Sequence, residues 1–181
     1  MTATIDISLD DLYTAMGTFI QLVLGNTIPV VQGQDNRVPA PPVQTDAAGT
    51  VIGFVMMQAF VDKRTTTNQD SFDPVNQLLQ AQSNTQVEVQ LDFYGPVSMN
   101  WAKMVSTLLR DEYGCTNLAP TCQPLYADEA IQSALVDGEE QYEERWTLRA
   151  YVQYNPVTTV GQQSATALSV VVINVDERYK P

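Results

Sequence analysis

The chain reads as an α+β protein: a largely antiparallel β-sheet with two main helices packed on it, plus long loops or arms. Three patterns predict this. From Glu144 to Tyr154 apolar and polar residues alternate with a period of two, the mark of a strand with one face in a core. Gln86–Tyr94 alternates in the same way. Two other stretches, residues 8–24 and one opening at Ser98, repeat apolar residues at helical spacing. Neighbouring strands with helices between them form such a layer.

In the first helix Ser8 is the cap, and Asp10 and Asp11 lie near the positive end of the dipole. Leu9, Leu12, Met16, Phe19, Ile20 and Val23 share one stripe, and Gly25 ends the helix. A short strand is expected over Thr27–Val31, within a Pro- and Gly-containing loop or arm that covers residues 26–50. Val38–Pro42 is extended there because proline fixes φ and restricts its predecessor. Phe54–Asp62 is apolar at both parities, which predicts an interior strand covered on both sides, with a polar extension to Thr67. Residues 68–84, rich in Asn, Gln, Ser and Asp, read as a loop with one turn of helix at Val75–Leu79. In the next strand Val87, Val89, Leu91 and Phe93 point inward, and Glu88, Gln90, Asp92 and Tyr94 outward.

Gly95-Pro96 breaks that strand. The second helix carries Trp101, Met104, Val105 and Leu108 on its stripe, with Leu109 beside it and Gly114 at its end. Residues 115–128 read as a loop, Glu129–Leu135 as strand-like or irregular, and Asp137-Gly138 as a turn. In the long strand Trp146, Leu148, Ala150, Val152 and Tyr154 face the core; Arg145, Thr147, Arg149, Tyr151 and Gln153 face away. Two arginines and a tyrosine on that second face suit contact with another protein. A polar linker after Asn155-Pro156 leads to a last strand, Leu168–Val175, and a polar tail. The length, 181 residues, favours one domain spanning 1–181.

Composition excludes several functions. The net charge of −12 argues against binding nucleic-acid phosphates or an anionic membrane, since both rest on Lys and Arg. Charged residues are only 17%, and amides and hydroxyls take their place, which fits extensive contact with partners. The start, Met1-Thr-Ala-Thr-Ile-Asp6, lacks the basic and apolar regions of a secretion signal, so a cytoplasm-like compartment is expected. No apolar run is long enough to span a bilayer. With no histidine, Ser-His-Asp and Cys-His catalysis are absent. The carboxylates adjacent in sequence diverge on strands and helices, no Gly-rich phosphate loop is present, and Cys115 and Cys122 have the wrong spacing for a zinc knuckle. No catalytic, cofactor or metal site is therefore expected. The two cysteines read as reduced thiols, with a disulfide open only if their Cα atoms come within about 7 Å.

Arg145 and Arg149 lie on one strand face about 13 Å apart. Ion pairs with neighbouring strands and contacts between subunits are both open to them. Asp92 and Tyr94 also share one face, turned to a partner or to solvent. Trp101 reads as core from its helical spacing.

Three ordered stretches carry a resemblance. They are Asp92-Phe-Tyr-Gly-Pro96 with Trp101-Ala102 and Leu108-Leu109-Arg110-Asp111, then Pro124-Leu-Tyr-Ala-Asp128, then Gln141-Tyr142 through Arg145-Trp146-Thr147 to Tyr154-Asn155-Pro156. Their order and spacing over roughly residues 52–178 resemble the neck or tail terminator proteins of contractile-tailed phages, also called gateway proteins. The resemblance implies a structural virion protein with no catalytic residue. It implies a ring, most often a hexamer, that ends the tail tube and sheath below the head–tail connector or collar proteins. Genomic DNA then passes through the lumen without specific binding, and assembly takes place in the cytoplasm of the bacterial host. On this reading Phe93 and Trp146 are core residues, Gly95-Pro96 sets the strand-to-helix turn, and Arg145 and Asp128 are candidates for a polar lock. Arg145, Arg149, Tyr151 and Asp128 are the candidate subunit-interface residues. A different tail or head-completion ring protein and a monomeric protein-binding module are the alternatives.

Overall fold

Strand β1 (Thr4–Ile5) leads into helix α1 (Leu9–Leu24), which Ser8 caps through its side chain. The Asp11 N–H donates to Ser8 Oγ, and the Asp11 carboxylate accepts the Ser8 N–H at 2.7 Å, closing a capping box. These bonds hold the Asp11 carboxyl below its ordinary pKa. The depressed value means that the cap is intact above the normal carboxylate pKa and is lost as pH falls through the folded one. The computed structural model describes residues 2–33, 53–118, 121–133, 135–136 and 142–163.

The chain continues through β2 (Val30–Gln32), β3 (Phe54–Arg64), β4 (Gln69–Asp73), β5 (Leu78–Gln82) and β6 (Thr85–Tyr94). Then come α2 (Ser98–Leu109), α3 (Glu112–Asn117), β7 (Cys122–Ala127), β8 (Ile131–Gln132), β9 (Leu135–Val136), β10 (Tyr142–Glu143), β11 (Arg145–Tyr154) and β12 (Val157–Gly161). The main sheet runs β2-β3-β6-β11-β7, with β8 also on β11. All its pairs are antiparallel except β2 with β3. β6 and β11 stay in register from Arg145 opposite Tyr94 to Tyr154 opposite Thr85. Two clean alternations in fixed register put Val87, Val89, Leu91 and Phe93 beside Leu148, Ala150 and Val152, all fully or nearly fully buried.

Both main helices cover this one face. α1 buries Leu12, Met16, Phe19 and Ile20, and its Tyr13 hydroxyl accepts the Ala59 N–H of β3 at 2.8 Å. α2 buries Ser98, Trp101, Ala102, Val105, Ser106 and Leu109. The buried stripe is rotated from the expected one: small Ala102 and Ser106 turn inward with Trp101, Val105 and Leu109, which leaves Met104 exposed and Leu108 half-buried. Gly114 does not end α2. It is buried inside α3, where an added Cβ would meet the Leu108 carbonyl oxygen at 2.7 Å.

Other expectations also change. Among the described residues β3 is covered on one face only; Val55 and Met57 are buried, but Phe54, Met56 and Gln58 are half-exposed and Phe60 is exposed. Residues 68–84 are not a loop with a helical turn. They form the β4–β5 hairpin, whose pairing is decided between strands and leaves no alternation in so polar a sequence. The stretch 115–128 holds α3 and β7. Pro124 sits in β7, which is an edge strand and so tolerates a missing N–H. The linker after Pro156 contains β12, paired with β5 and β1, and a second sheet runs β1-β12-β5-β4. It adjoins the end of the main sheet, where Thr85 Oγ1 donates to the Tyr154 carbonyl (2.5 Å) and the Ser83 N–H to that of Pro156 (3.0 Å). The expected turn at Asp137-Gly138, the extended Val38–Pro42 and the strand Leu168–Val175 lie outside the described residues.

Candidate functional site: the open face of the main sheet

Opposite the helices, no helix covers the main sheet among the described residues. Register lays its outward side chains in rows across β3, β6 and β11. In the first row Phe54 stacks on Tyr94, with centroids 4.5 Å apart and planes 11° apart, and the Arg145 guanidinium lies 5.6 Å from the Tyr94 centroid. The second row is Met56, Asp92 and Thr147. Asp92 is buried and accepts from Arg145 Nη2 (2.8 Å), Thr147 Oγ1 (2.6 Å) and Gln90 Nε2 (2.9 Å). Gln58, Gln90 and Arg149 make the third row. In the fourth, Tyr151 stacks on Tyr126 of β7, with centroids 4.2 Å apart.

The ion pairs share one layering. Arg145 is 23% exposed above Asp92 at 7%, and Arg149, 3.6 Å from Glu88, is 57% exposed above Glu88 at 20%. In each pair the guanidinium is the more exposed member and the carboxylate the more buried one. Burial alone would lower the Arg145 pKa; the hydrogen bond to Asp92 and that carboxylate's charge, with Tyr94, outweigh it and leave it raised. The Tyr151 phenol is also raised, by desolvation first and then by the charges of Asp128 and Glu88.

The structure does not join Arg145 to Asp128. Arg145 pairs with Asp92, whereas the Asp128 N–H donates to the Arg149 carbonyl (2.8 Å), four residues along β11. The Asp128 carboxylate instead accepts from the Tyr151 hydroxyl at 3.3 Å. Arg145, Arg149 and Tyr151 thus share the open face, and Asp128 stands at its margin. A shallow groove of about 340 Å³ runs there, lined by Asp128, Glu129, Ile131, Ser133, Thr147 and Arg149.

Among the other named residues, Phe93 is fully buried and Trp101 is buried. Trp146 is half-buried against the edge of the core, and its indole N–H donates to Glu144 Oε1 at 3.2 Å. Gly95 begins the turn into α2: its N–H donates to the Glu144 carbonyl, and its own carbonyl accepts from the Ser98 N–H, each at 3.1 Å. Pro96 follows it on the exposed side of the turn.

Sequence reasoning missed Phe54, Met56, Phe60 and Tyr126 as parts of this face. A signal was present in Phe54–Asp62, apolar at both parities: this chain buries one parity and leaves the other open.

Among the described residues no three His, Cys, Asp or Glu side chains meet as metal ligands. Cys115 is an exposed free thiol; Cys122 is a buried one, and burial pushes its pKa up to about 11. A thiolate is the reactive form. A disulfide-exchange reagent at pH 8 should therefore titrate one thiol per native chain rapidly, and the second only after denaturant is added. Two fast thiols in the native protein would contradict this placement.

The fold is that of an α+β protein with one open sheet face. The family model described as phage neck terminator protein matches residues 10–177, and the chain belongs to that family. The match agrees with the resemblance drawn from the residues, and it makes the chain a structural protein of the phage neck and hence a virion component. No curated protein sequence matches the chain. No helix among the described residues is long and apolar enough to cross a membrane.

Proposed function

We propose that copies of this chain form a ring, six-fold, that ends the tail tube and sheath at the phage neck. The ring joins them to the connector or collar proteins and leaves a channel for DNA. The whole chain, 1–181, acts as one domain in this role, which is structural and uses no catalytic residue or cofactor. The observation that carries the reading is the open sheet face in a chain of the neck terminator family. Half-exposed Phe54 and Met56, stacked tyrosines and upward guanidiniums match the composition of protein contacts, which favour aromatics, Met and Arg. Arg145, Arg149, Tyr151 and Asp128 are placed at that contact. A net charge of −12 per copy repels phosphate, which suits passage of DNA without specific binding. Assembly in the host cytoplasm, where thiols stay reduced, suits the free Cys115 and Cys122.

Light scattering with negative-stain imaging of the purified protein tests this. The expected result is a mass about six times the 20.0 kDa chain and round particles with a central hole. A monomer at every concentration, together with absence from the head–tail junction of virions, overturns it. Arg149→Glu should abolish the rings while changing stability by only about 1 kcal/mol, since its ion pair is largely exposed. Normal rings from that variant would remove Arg149 from the contact.

A further inference from the structure

We infer that the β4–β5 hairpin of one copy docks on the open sheet face of a second copy. The inference rests on the ring reading and names the contact within it.

The hairpin forms the β4 edge of the second sheet, with β5 held along its length by β12. Its tip, residues 74–77, is pinned: Asp73 accepts the N–H groups of Val75 (2.9 Å) and Asn76 (3.2 Å) and the Asn76 side-chain amide (2.6 Å). A tip already held in one conformation loses little entropy on docking. Val75 stands on it 87% exposed, and Phe72 beside it is exposed as well. Isolated exposed apolar residues are common on protein surfaces. Here they share one hydrogen-bonded tip at the sheet edge, next to Asp70 and Asp73. Residues 65–84 contain Asp70 and Asp73 and no Lys or Arg.

The open face is complementary on both counts. Its apolar side chains rise along β3 to Phe60, 52% exposed at the bulge between Ala59 and Val61. An acidic, apolar-tipped hairpin therefore meets an apolar floor on which the guanidiniums are the more exposed members of its ion pairs. The two surfaces lie in different sheets of one copy, so in a ring the contact repeats head to tail from each copy to the next.

Val75→Asp and Phe60→Asp test this, because both sites are exposed and each variant should keep the wild-type melting curve. Each is expected to raise the concentration needed for ring assembly by about ten-fold or more. In a Cys115→Ser background, the double variant Val75→Cys/Phe60→Cys should give under oxidation a ladder at multiples of the chain mass. Rings that survive Val75→Asp overturn the inference and leave the ring reading standing. Survival with loss of tail-tube binding also overturns it, and assigns the hairpin to a different neck protein. Cross-linking of Val75→Cys to itself alone overturns it in favour of a two-fold contact. A wild type that never assembles removes the ring reading and the inference together.

Discussion

Phe93→Ala is expected to lower folding stability by about 3–5 kcal/mol, the usual cost of a cavity left by a fully buried aromatic ring. Phe93 lies on β6, opposite Trp146 of β11 and beside Val55 of β3, on the face that both helices cover. No small movement refills that space, because three strands fix its walls by backbone pairing. For a chain of this length the drop corresponds to roughly 6–20 °C in Tm. Urea unfolding below the assembly concentration, followed by the fluorescence of Trp101 and Trp146, measures it. Trp146→Ala is the control. Half-buried, and holding its indole N–H against an exposed carboxylate, Trp146 should cost clearly less than Phe93. An equal or larger loss at Trp146 would mean that the core is centred elsewhere.

Gly53→Ala is expected to be as severe, by a different mechanism. Gly53 has φ +102, and an added Cβ would lie 1.9 Å from the Tyr94 carbonyl oxygen and 2.9 Å from its carbonyl carbon. Backbone cannot swing away as a flexible side chain can, so β3 would have to leave β6 at the Phe54–Tyr94 pair. Conformational strain and overpacking together cost about 3 kcal/mol or more. Gly25→Ala isolates the first part. It has φ +113 with open space around the added Cβ, so only a conformational cost of about 1–3 kcal/mol is expected. Thermal melts of the two variants side by side decide the matter, and a Gly53→Ala melt equal to that of Gly25→Ala would refute the close approach. Loss of the Phe54–Tyr94 stack should also weaken ring assembly, because that row begins the open face.

Where a segment's own periodicity met a single core, its fold was legible. α1, β6 and β11 each bury one stripe or one parity, and each lies close to where local spacing predicts it. The hairpin β4–β5 escaped because its strands lack a period of two, with Leu78 and Leu79 adjacent among amides and carboxylates, and β12 escaped because its partners β5 and β1 are remote in sequence. β7 was hidden by Pro124, which argues against a strand except at an edge, and whether a strand is an edge is a property of the assembled sheet. The site followed the same division. Arg145, Arg149 and Tyr151 were placed on one face by alternation. Alternation leaves an ion pair from Arg145 to a neighbouring strand open but does not name Asp92, because nearness to Asp92 or Asp128 depends on which strands pair and in what register.

Residue order alone set the parity of each long strand, the helical stripe and cap of α1, the missing imidazole and the acidic balance; these follow from covalent spacing and composition. The order of the remote strands, the burial of Asp92 beneath Arg145 and the half-exposed second face of β3 arose only when distant segments came together. Pairing between remote strands is a collective choice of register and packing, and no local stretch of chain encodes it.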